Sequence, residues 1–247
     1  MTDISVVIPL GPNPAYLEWL PECIDSVLAQ THLPTEVVLV DDGARIERNI
    51  KTFFSPDIFE IIGTEESAWW DRLLDDDKIL LRYYRTPWNV GVADAFNFGV
   101  GLSYNELVFM LGSDDKLMPT CLEEVVKEYD KQGQWDGWYN VTLVTQSGEE
   151  SWLPNNAAAV TRGLWKWLGG YPPSAGLAAC DAVALSILMV HAPDRIIQVK
   201  QNTPLYWARE HEHQDTRKNM SYFAASGVVE AVRNMETQRF VPKGTLK

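Results

Sequence analysis

"ISVVIPLGPNPAYLEWLPECIDSVLAQTHLPTEVVLVDDG", residues 4–43, decides the fold. Residues 4–8 form a largely β-branched run, apolar but for Ser5, closed by Pro9. The run does not alternate, so it predicts a strand buried on both faces, as in a parallel sheet. Over residues 15–30 the period changes: Leu17, Leu20, Ile24, Val27 and Leu28 recur at helical spacing and predict one apolar helix face. "EVVLV" (36–40) returns to a buried strand and ends in Asp41-Asp42-Gly43. Strand, helix and strand at this spacing predict a right-handed βαβ unit.

The pattern continues downstream. "KILLRYY" (78–84) predicts a third strand, "VADAFNFGVG" (92–101) a helix that stops at glycine, and "ELVFML" (106–111) a fourth strand. Thr120-Cys121-Leu122-Glu123 follows Pro119 and has the Thr-x-x-Glu capping pattern, with Leu122, Val125, Val126 and Tyr129 as the apolar stripe of the helix it opens. Residues 1–130 are thus an alternating α/β sheet region. Within it, 44–77 carries Trp69-Trp70 and Asp75-Asp76-Asp77 and is expected to be a solvated loop or helix end.

The second half differs. Residues 135–153 predict a hairpin about Ser147-Gly148, 164–176 a loop rich in Trp, Gly and Pro, and 181–190 a buried helix. "RIIQV" (195–199) and "PLYWAR" (204–209) predict late strands, 211–219 a polar segment and 220–238 a weak helix. The expected organisation is a single domain over 1–247, with a ligand-binding half (1–130), a second half (131–219) and a C-terminal helix or tail (220–247).

Composition bounds the chemistry. The 247 residues are 46% apolar, enough for one sizeable core. With 34 acidic against 21 basic side chains the net charge is −13, which argues against a nucleic-acid partner. A phosphorylated ligand would equally need positive charge, and a divalent cation held by carboxylates supplies it. No run of 18 apolar residues predicts a membrane span, and the N-terminus lacks the regions of a signal peptide. Three widely spaced cysteines suggest no disulfide framework, so the cytoplasm is the expected compartment.

Two predicted parallel strands end in carboxylate pairs, Asp41-Asp42 and Asp114-Asp115, the latter inside "FMLGSDDKLMP" (109–119). Ligands of open α/β sheets bind outside the carboxyl ends of the strands, so both pairs face one crevice. Either pair alone could be a solvated turn. Two adjacent carboxylates raise each other's pKa unless a cation or donors compensate, and a bound metal with ligand hydroxyls would do so.

These residues carry a resemblance. "SVVIPL", "ECIDSVLAQTHLPTEVVLVDDG", "NVGVADAFNFGV" (89–100), "FMLGSDDKLMPTCLEEVVKEY" and "WLGGYPPSAGLAACDAVAL" occur in the order and spacing of family 2 glycosyltransferases. The resemblance implies an α/β GT-A fold, a Rossmann-like, mostly parallel central sheet with flanking helices and a small acceptor-side subregion. It implies a nucleotide-sugar site at Pro9, Leu10, Asp41, Asp42, Asn89 and Asp114, with Asp42 accepting from the base. It implies a Mn²⁺ or Mg²⁺ ion on Asp115 with His211 or His213, and Asp181 as general base. Trp165, Trp167, Gly170 and Tyr171, beside Asp181, become acceptor-binding candidates, since sugar faces pack on aromatic rings. Each has a plainer alternative: a helix-capping Asp181, core tryptophans, a solvated polar loop at 211–213. Arg82 and Arg85 could hold phosphate or simply sit at the surface.

Two departures stand out. Leu10-Gly11-Pro12 replaces the Thr and Tyr common after the first-strand proline, and Cys180 replaces the Glu that commonly precedes the base. The expected activity is inverting, metal-dependent transfer of a hexose from a UDP-sugar to an acceptor hydroxyl. A nucleotidyltransferase would want a basic, Gly-rich phosphate loop after the first strand, and "PLGPNPAYLEWLPE" has one glycine and no Lys or Arg. A catalytically inactive nucleotide- or sugar-binding module is the alternative from another class.

Overall fold

The computed structural model describes residues 2–46, 69–74, 79–151, 155–171, 180–212 and 246. Its core is a run of four parallel strands in the order β4 (Ile79–Arg85), β2 (Glu36–Asp41), β1 (Ile4–Leu10), β5 (Leu107–Met110). β1 and β2 are buried along their whole length, as their unalternating sequence requires. Pro9 lies inside β1 rather than after it. Leu111 N–H donates to Val7 C=O, so odd-numbered residues of β1 bond toward β5, whose pairing ends at Val7–Met110. The N–H that Pro9 lacks would point past that end, where no ladder bond is lost.

The sheet continues on both sides with antiparallel pairings, except that β7 and β10 run parallel. β3 (Trp69–Leu74) borders β4, so Trp69-Trp70 belong to an edge strand, not to a loop. Asp75–Asp77 and the 220–238 segment lie outside the described residues. Beyond β5 come β9 (Ala158–Thr161), β7 (Trp138–Thr145), β10 (Ile196–Ala208) and β6 (Lys116–Leu117), with β8 (Glu150–Ser151) forming the expected hairpin on β7 about Gly148. The two predicted late strands are one, β10, irregular between Val199 and Tyr206.

α1 (Ala15–Leu28) and α3 (Cys121–Lys131) cover one face of the sheet. α2 (Val92–Leu102), α4 (Arg162–Leu168) and α5 (Cys180–His191) cover the other. α4 replaces the predicted loop. Thr161 Oγ1 accepts from Leu164 N–H at 3.2 Å, and Gly169 ends the helix at φ 80°, so both ends are capped. The Thr120 capping box does not form: Thr120 makes no side-chain cap bond, and the Glu123 carboxylate takes Thr31 Oγ1 and Lys127 instead. Gly99 has a packing role. A Cβ there would stand 2.2 Å from Val7 Cγ1, so glycine lets α2 lie directly on β1.

The chain goes from β1 to β2 on one side and returns through α2 to β5 on the other. The switch point between β1 and β5 opens where Leu10 and the 111–115 segment end. Among the described residues no helix is long and apolar enough to cross a membrane.

Candidate active site

The two carboxylate pairs stand at this edge, and the structure treats them differently. Asp41 is fully buried. It accepts from Arg45 N–H and Ile46 N–H, each at 2.9 Å, and from Tyr83 Oη at 2.6 Å. Asp42 accepts from Thr86 Oγ1 at 2.9 Å, Val90 N–H at 2.7 Å and Gly91 N–H at 2.8 Å, while its C=O accepts from Asn89 Nδ2 at 2.9 Å. These bonds lash the 42–46 and 86–91 loops together. Asp41 is therefore fully engaged by the protein and fastens the 42–46 loop. Asp42 has three of its roughly four lone-pair directions filled by the protein, leaving little for a base. Pro9 and Leu10 are buried in β1, and Gly11 is the first partly exposed residue after them.

The second pair is held from a distance. Tyr206 Oη donates to Asp115 Oδ2 at 2.6 Å and accepts from Gly112 N–H at 3.1 Å. Arg209 N–H donates to Asp115 Oδ1 at 2.8 Å, and Arg209 Nε to Asp114 C=O at 2.9 Å. A Cβ on Gly112 would lie 2.8 Å from Asp114 Oδ1 and 3.0 Å from Asp115 Oδ2, so only glycine lets both carboxylates fold back over the chain. Burial first, and then the neighbouring Asp114, pushes the Asp115 carboxyl well above the ordinary carboxylate range, while the Tyr206 and Arg209 donors pull it back. His211 Nε2 lies 2.8 Å from Asp114 Oδ2, its ring packed 4.4 Å from Trp19. The imidazole thus faces Asp114 rather than Asp115. His213 lies outside the described residues.

The positive charges nearby are already engaged. Lys116 Nζ meets Glu22 Oε1 at 2.6 Å, and the Arg209 guanidinium bonds the other Glu22 oxygen. The Lys116 hydrogen bond is the largest influence lowering the Glu22 pKa. Arg82, a phosphate candidate from sequence, is instead half-buried and paired with the buried Glu36 at the start of β2, at the far end of the strand from the site. Tyr206, Arg209 and Glu22 escaped sequence reasoning. Their role comes from pairing across some 90–190 positions, which local pattern does not carry.

Asp181 is the second residue of α5. The backbone N–H groups of Ala182, Asp181 itself and Asn156 lie close enough to favour its charged form. Burial raises its pKa and these N–H groups moderate the rise. It sits in the first turn of α5 and is the candidate base. The expected acceptor aromatics sit elsewhere. Trp165, Trp167 and Tyr171 are 6%, 8% and 1% exposed and belong to the core beneath α4, with the Trp165 and Tyr171 rings 4.6 Å apart. Gly170 is buried too, at φ 81°, where a Cβ would meet Asn97 Oδ1. No acceptor can stack on rings so enclosed.

The arrangement offers carboxylate and imidazole oxygen and nitrogen donors at one station and a half-buried carboxylate at another, on one sheet edge. Residues 5–171 match the family model described as glycosyl transferase family 2. Over 126 residues, 51% of this chain, the sequence is 35% identical to an uncharacterised glycosyltransferase of Nostoc sp.. Over 140 residues, 56% of the chain, it is 26% identical to the glycosyltransferase GlyG of Streptococcus pneumoniae. The matched stretches span 32% and 39% of those two relatives. Among solved structures, residues 1–349 of Staphylococcus aureus TarS, in complex with UDP-GlcNAc, superpose with a TM-score of 0.69 at 15% identity, covering 99% of this chain and 68% of that one. The chain belongs to glycosyl transferase family 2, and its sheet is the GT-A fold.

Proposed function

We propose that this family 2 chain is an inverting, divalent-cation-dependent glycosyltransferase that moves a hexose from a UDP-sugar to an acceptor hydroxyl in the cytoplasm. The observation that carries the reading is the shared sheet edge. Asp114, Asp115 and His211 stand beyond β5, and Asp181 lies within electrostatic reach of Asn156, in the loop that leads into β9, the strand beside β5. The UDP-sugar is supported by the fold shared with TarS, whose structure was solved with UDP-GlcNAc.

Among the described residues no three His, Cys, Asp or Glu side chains converge on one point as a metal site. Asp114 and Asp115 carry the oxygen donors that Mn²⁺ or Mg²⁺ takes, and they, with His211 beside Asp114 where the ion is Mn²⁺, would hold the ion. When bound, it supplies the positive charge a departing nucleoside diphosphate needs, which Lys116 and Arg209, engaged with Glu22, do not offer. Asp181 takes the proton of the acceptor hydroxyl. Its raised pKa makes it a stronger base than an ordinary carboxylate. One in-line displacement by that hydroxyl inverts the anomeric centre.

The test is UDP release from a panel of UDP-sugars with Mn²⁺, with EDTA, Asp115→Ala and Asp181→Asn as controls. Slow release from one donor, abolished by EDTA and by Asp115→Ala, supports the reading. No release, together with no metal-dependent UDP binding by calorimetry, refutes it.

A further inference from the structure

Arg209 follows β10 and closes on the 112–115 segment in two ways. Its backbone N–H, which any residue but proline would supply, donates to Asp115 Oδ1 at 2.8 Å. Its side chain adds a bond of its own: Nε donates to the Asp114 C=O at 2.9 Å and so grips the peptide that joins the two carboxylate-bearing residues. The guanidinium is itself held from three directions. Nη2 donates to Glu22 Oε2 on α1, and Cζ stands 5.2 Å from the centroid of the Trp19 ring and 5.0 Å from that of Trp207. The Trp19 and His211 rings are in turn packed with centroids 4.4 Å apart, and His211 Nε2 lies 2.8 Å from Asp114 Oδ2. Asp114 is therefore held at both ends, its carbonyl by Arg209 and its carboxylate by His211, and both holders lean on one indole of α1.

We propose that Arg209 is a positioning residue whose side chain sets the spacing and aim of the Asp114–Asp115 pair. This rests on the reading of that pair as the holder of a divalent cation. A guanidinium repels such a cation, so its charge alone works against the site. Its geometry is what serves it. The planar fork sends one N–H to Asp114 and another to Glu22, and it lies over two indole rings. An ammonium has neither the plane nor the stacking face. Lys116 shows the contrast: its Nζ bonds Glu22 Oε1 at 2.6 Å and lies 4.1 Å from the Trp207 centroid, and its bond goes to Glu22 and not to the pair. Groups that orient a metal-binding side chain without touching the metal commonly govern affinity by about 10- to 100-fold.

Three variants separate geometry from charge. Arg209→Lys keeps the charge and the backbone N–H and removes the fork. Arg209→Met removes both charge and fork. Lys116→Met removes a neighbouring charge and leaves the grip on Asp114 in place. Two measurements are made on the full chain, with circular dichroism to show that each variant is folded. The first is Mn²⁺ affinity, read from the electron paramagnetic resonance of the free ion. Arg209→Lys and Arg209→Met should both weaken it by about 10-fold or more, while Lys116→Met should not weaken it. If Arg209 acted only through its charge, Arg209→Lys would leave the affinity unchanged and Arg209→Met would tighten it. Either result overturns the proposal, as does an equal loss in Lys116→Met. The second is made in EDTA. The Asp115 amide proton, bonded to Gly112 C=O at 3.1 Å, should exchange about 10-fold faster or more in Arg209→Lys, while the amides of β1 and β5 keep their rates. An unchanged Asp115 rate, or an equal acceleration across the whole sheet, overturns the proposal. If wild type binds no Mn²⁺, the metal reading fails, and the exchange comparison decides the positioning by itself.

Discussion

Tyr206→Phe removes a single oxygen from the edge of the site. The ring stays, stacked on Phe109 with centroids 6.4 Å apart. Two bonds disappear: the 2.6 Å donation to Asp115 Oδ2 and the 3.1 Å acceptance from Gly112 N–H. A hydrogen bond to a charged acceptor contributes about 1.5–3 kcal/mol, and a buried N–H left without an acceptor costs about 1–3 kcal/mol. The sum is capped, because Asp115, whose pKa burial already raises, can take up a proton once the donor is gone. A net loss of about 3 kcal/mol follows, and at about 2–4 °C per kcal/mol for a chain this long Tm falls by about 6–12 °C. The assay is thermal unfolding by circular dichroism near neutral pH in EDTA. Tyr139→Phe is the internal control. It also removes one phenol oxygen from a buried ring, but that oxygen donates to the neutral Trp135 C=O at 2.9 Å. It should cost about 0.5–1.5 kcal/mol, or about 1–6 °C. Equal shifts in the two variants, or a smaller one for Tyr206→Phe, would refute the claim that this hydroxyl compensates the Asp115 charge.

Three further outcomes can be checked. Gly99→Ala overpacks the α2–β1 contact and should cost about 1–3 kcal/mol in urea unfolding, part of it recovered by adding Val7→Ala, because the new methyl meets Val7 Cγ1. Arg82→Ala leaves the buried Glu36 carboxylate without its cation. The loss should be about 3 kcal/mol, the low end for a broken buried pair, since Ser5 Oγ and Tyr104 N–H still donate to it, and the folded fraction should turn over donor at the wild-type rate. Asp181 must be ionised to accept a proton and its pKa is raised by burial. The kcat/KM of transfer should therefore rise as pH climbs through a value above that of a free carboxylate, and Asp181→Asn should lack that limb.

What the sequence disclosed and what it hid follow from one distinction. β1, α1 and β2 were legible because a strand covered on both faces must be apolar throughout and a helix covered on one face must repeat at 3.6. The fold needed little more. α4 was illegible because seven residues are too few to show that period, although Thr161 and Gly169 at its ends were a usable signal. Trp165, Trp167 and Tyr171 were misassigned for a different reason. An aromatic beside a candidate base reads the same whether it faces a sugar or the core, and burial decided for the core. The Tyr206 and Arg209 contacts had no local signal at all, since they close on Asp115 from 91 and 94 positions away.

The two aspartate pairs show what that distinction means for the site. Both end a buried strand, and both place like charges side by side. The donors that satisfy Asp41 come from residues four and five positions on and from the neighbouring strand; those of Asp42 come from the 86–91 loop that follows that strand. That first pair is complete within the parallel half of the sheet and acts as a clamp on its loops. Asp114 and Asp115 find their donors in β10 and the segment just after it, which reach them only when the second half of the chain has folded against the first. A pair satisfied locally is a structural device. A pair whose compensation arrives from another element, through a hydroxyl and an imidazole that a cation can replace or join, is where charge can be exchanged with a ligand. By that argument Asp41 and Asp42 hold the frame, and we propose Asp114 and Asp115 as the pair that meets the ligand.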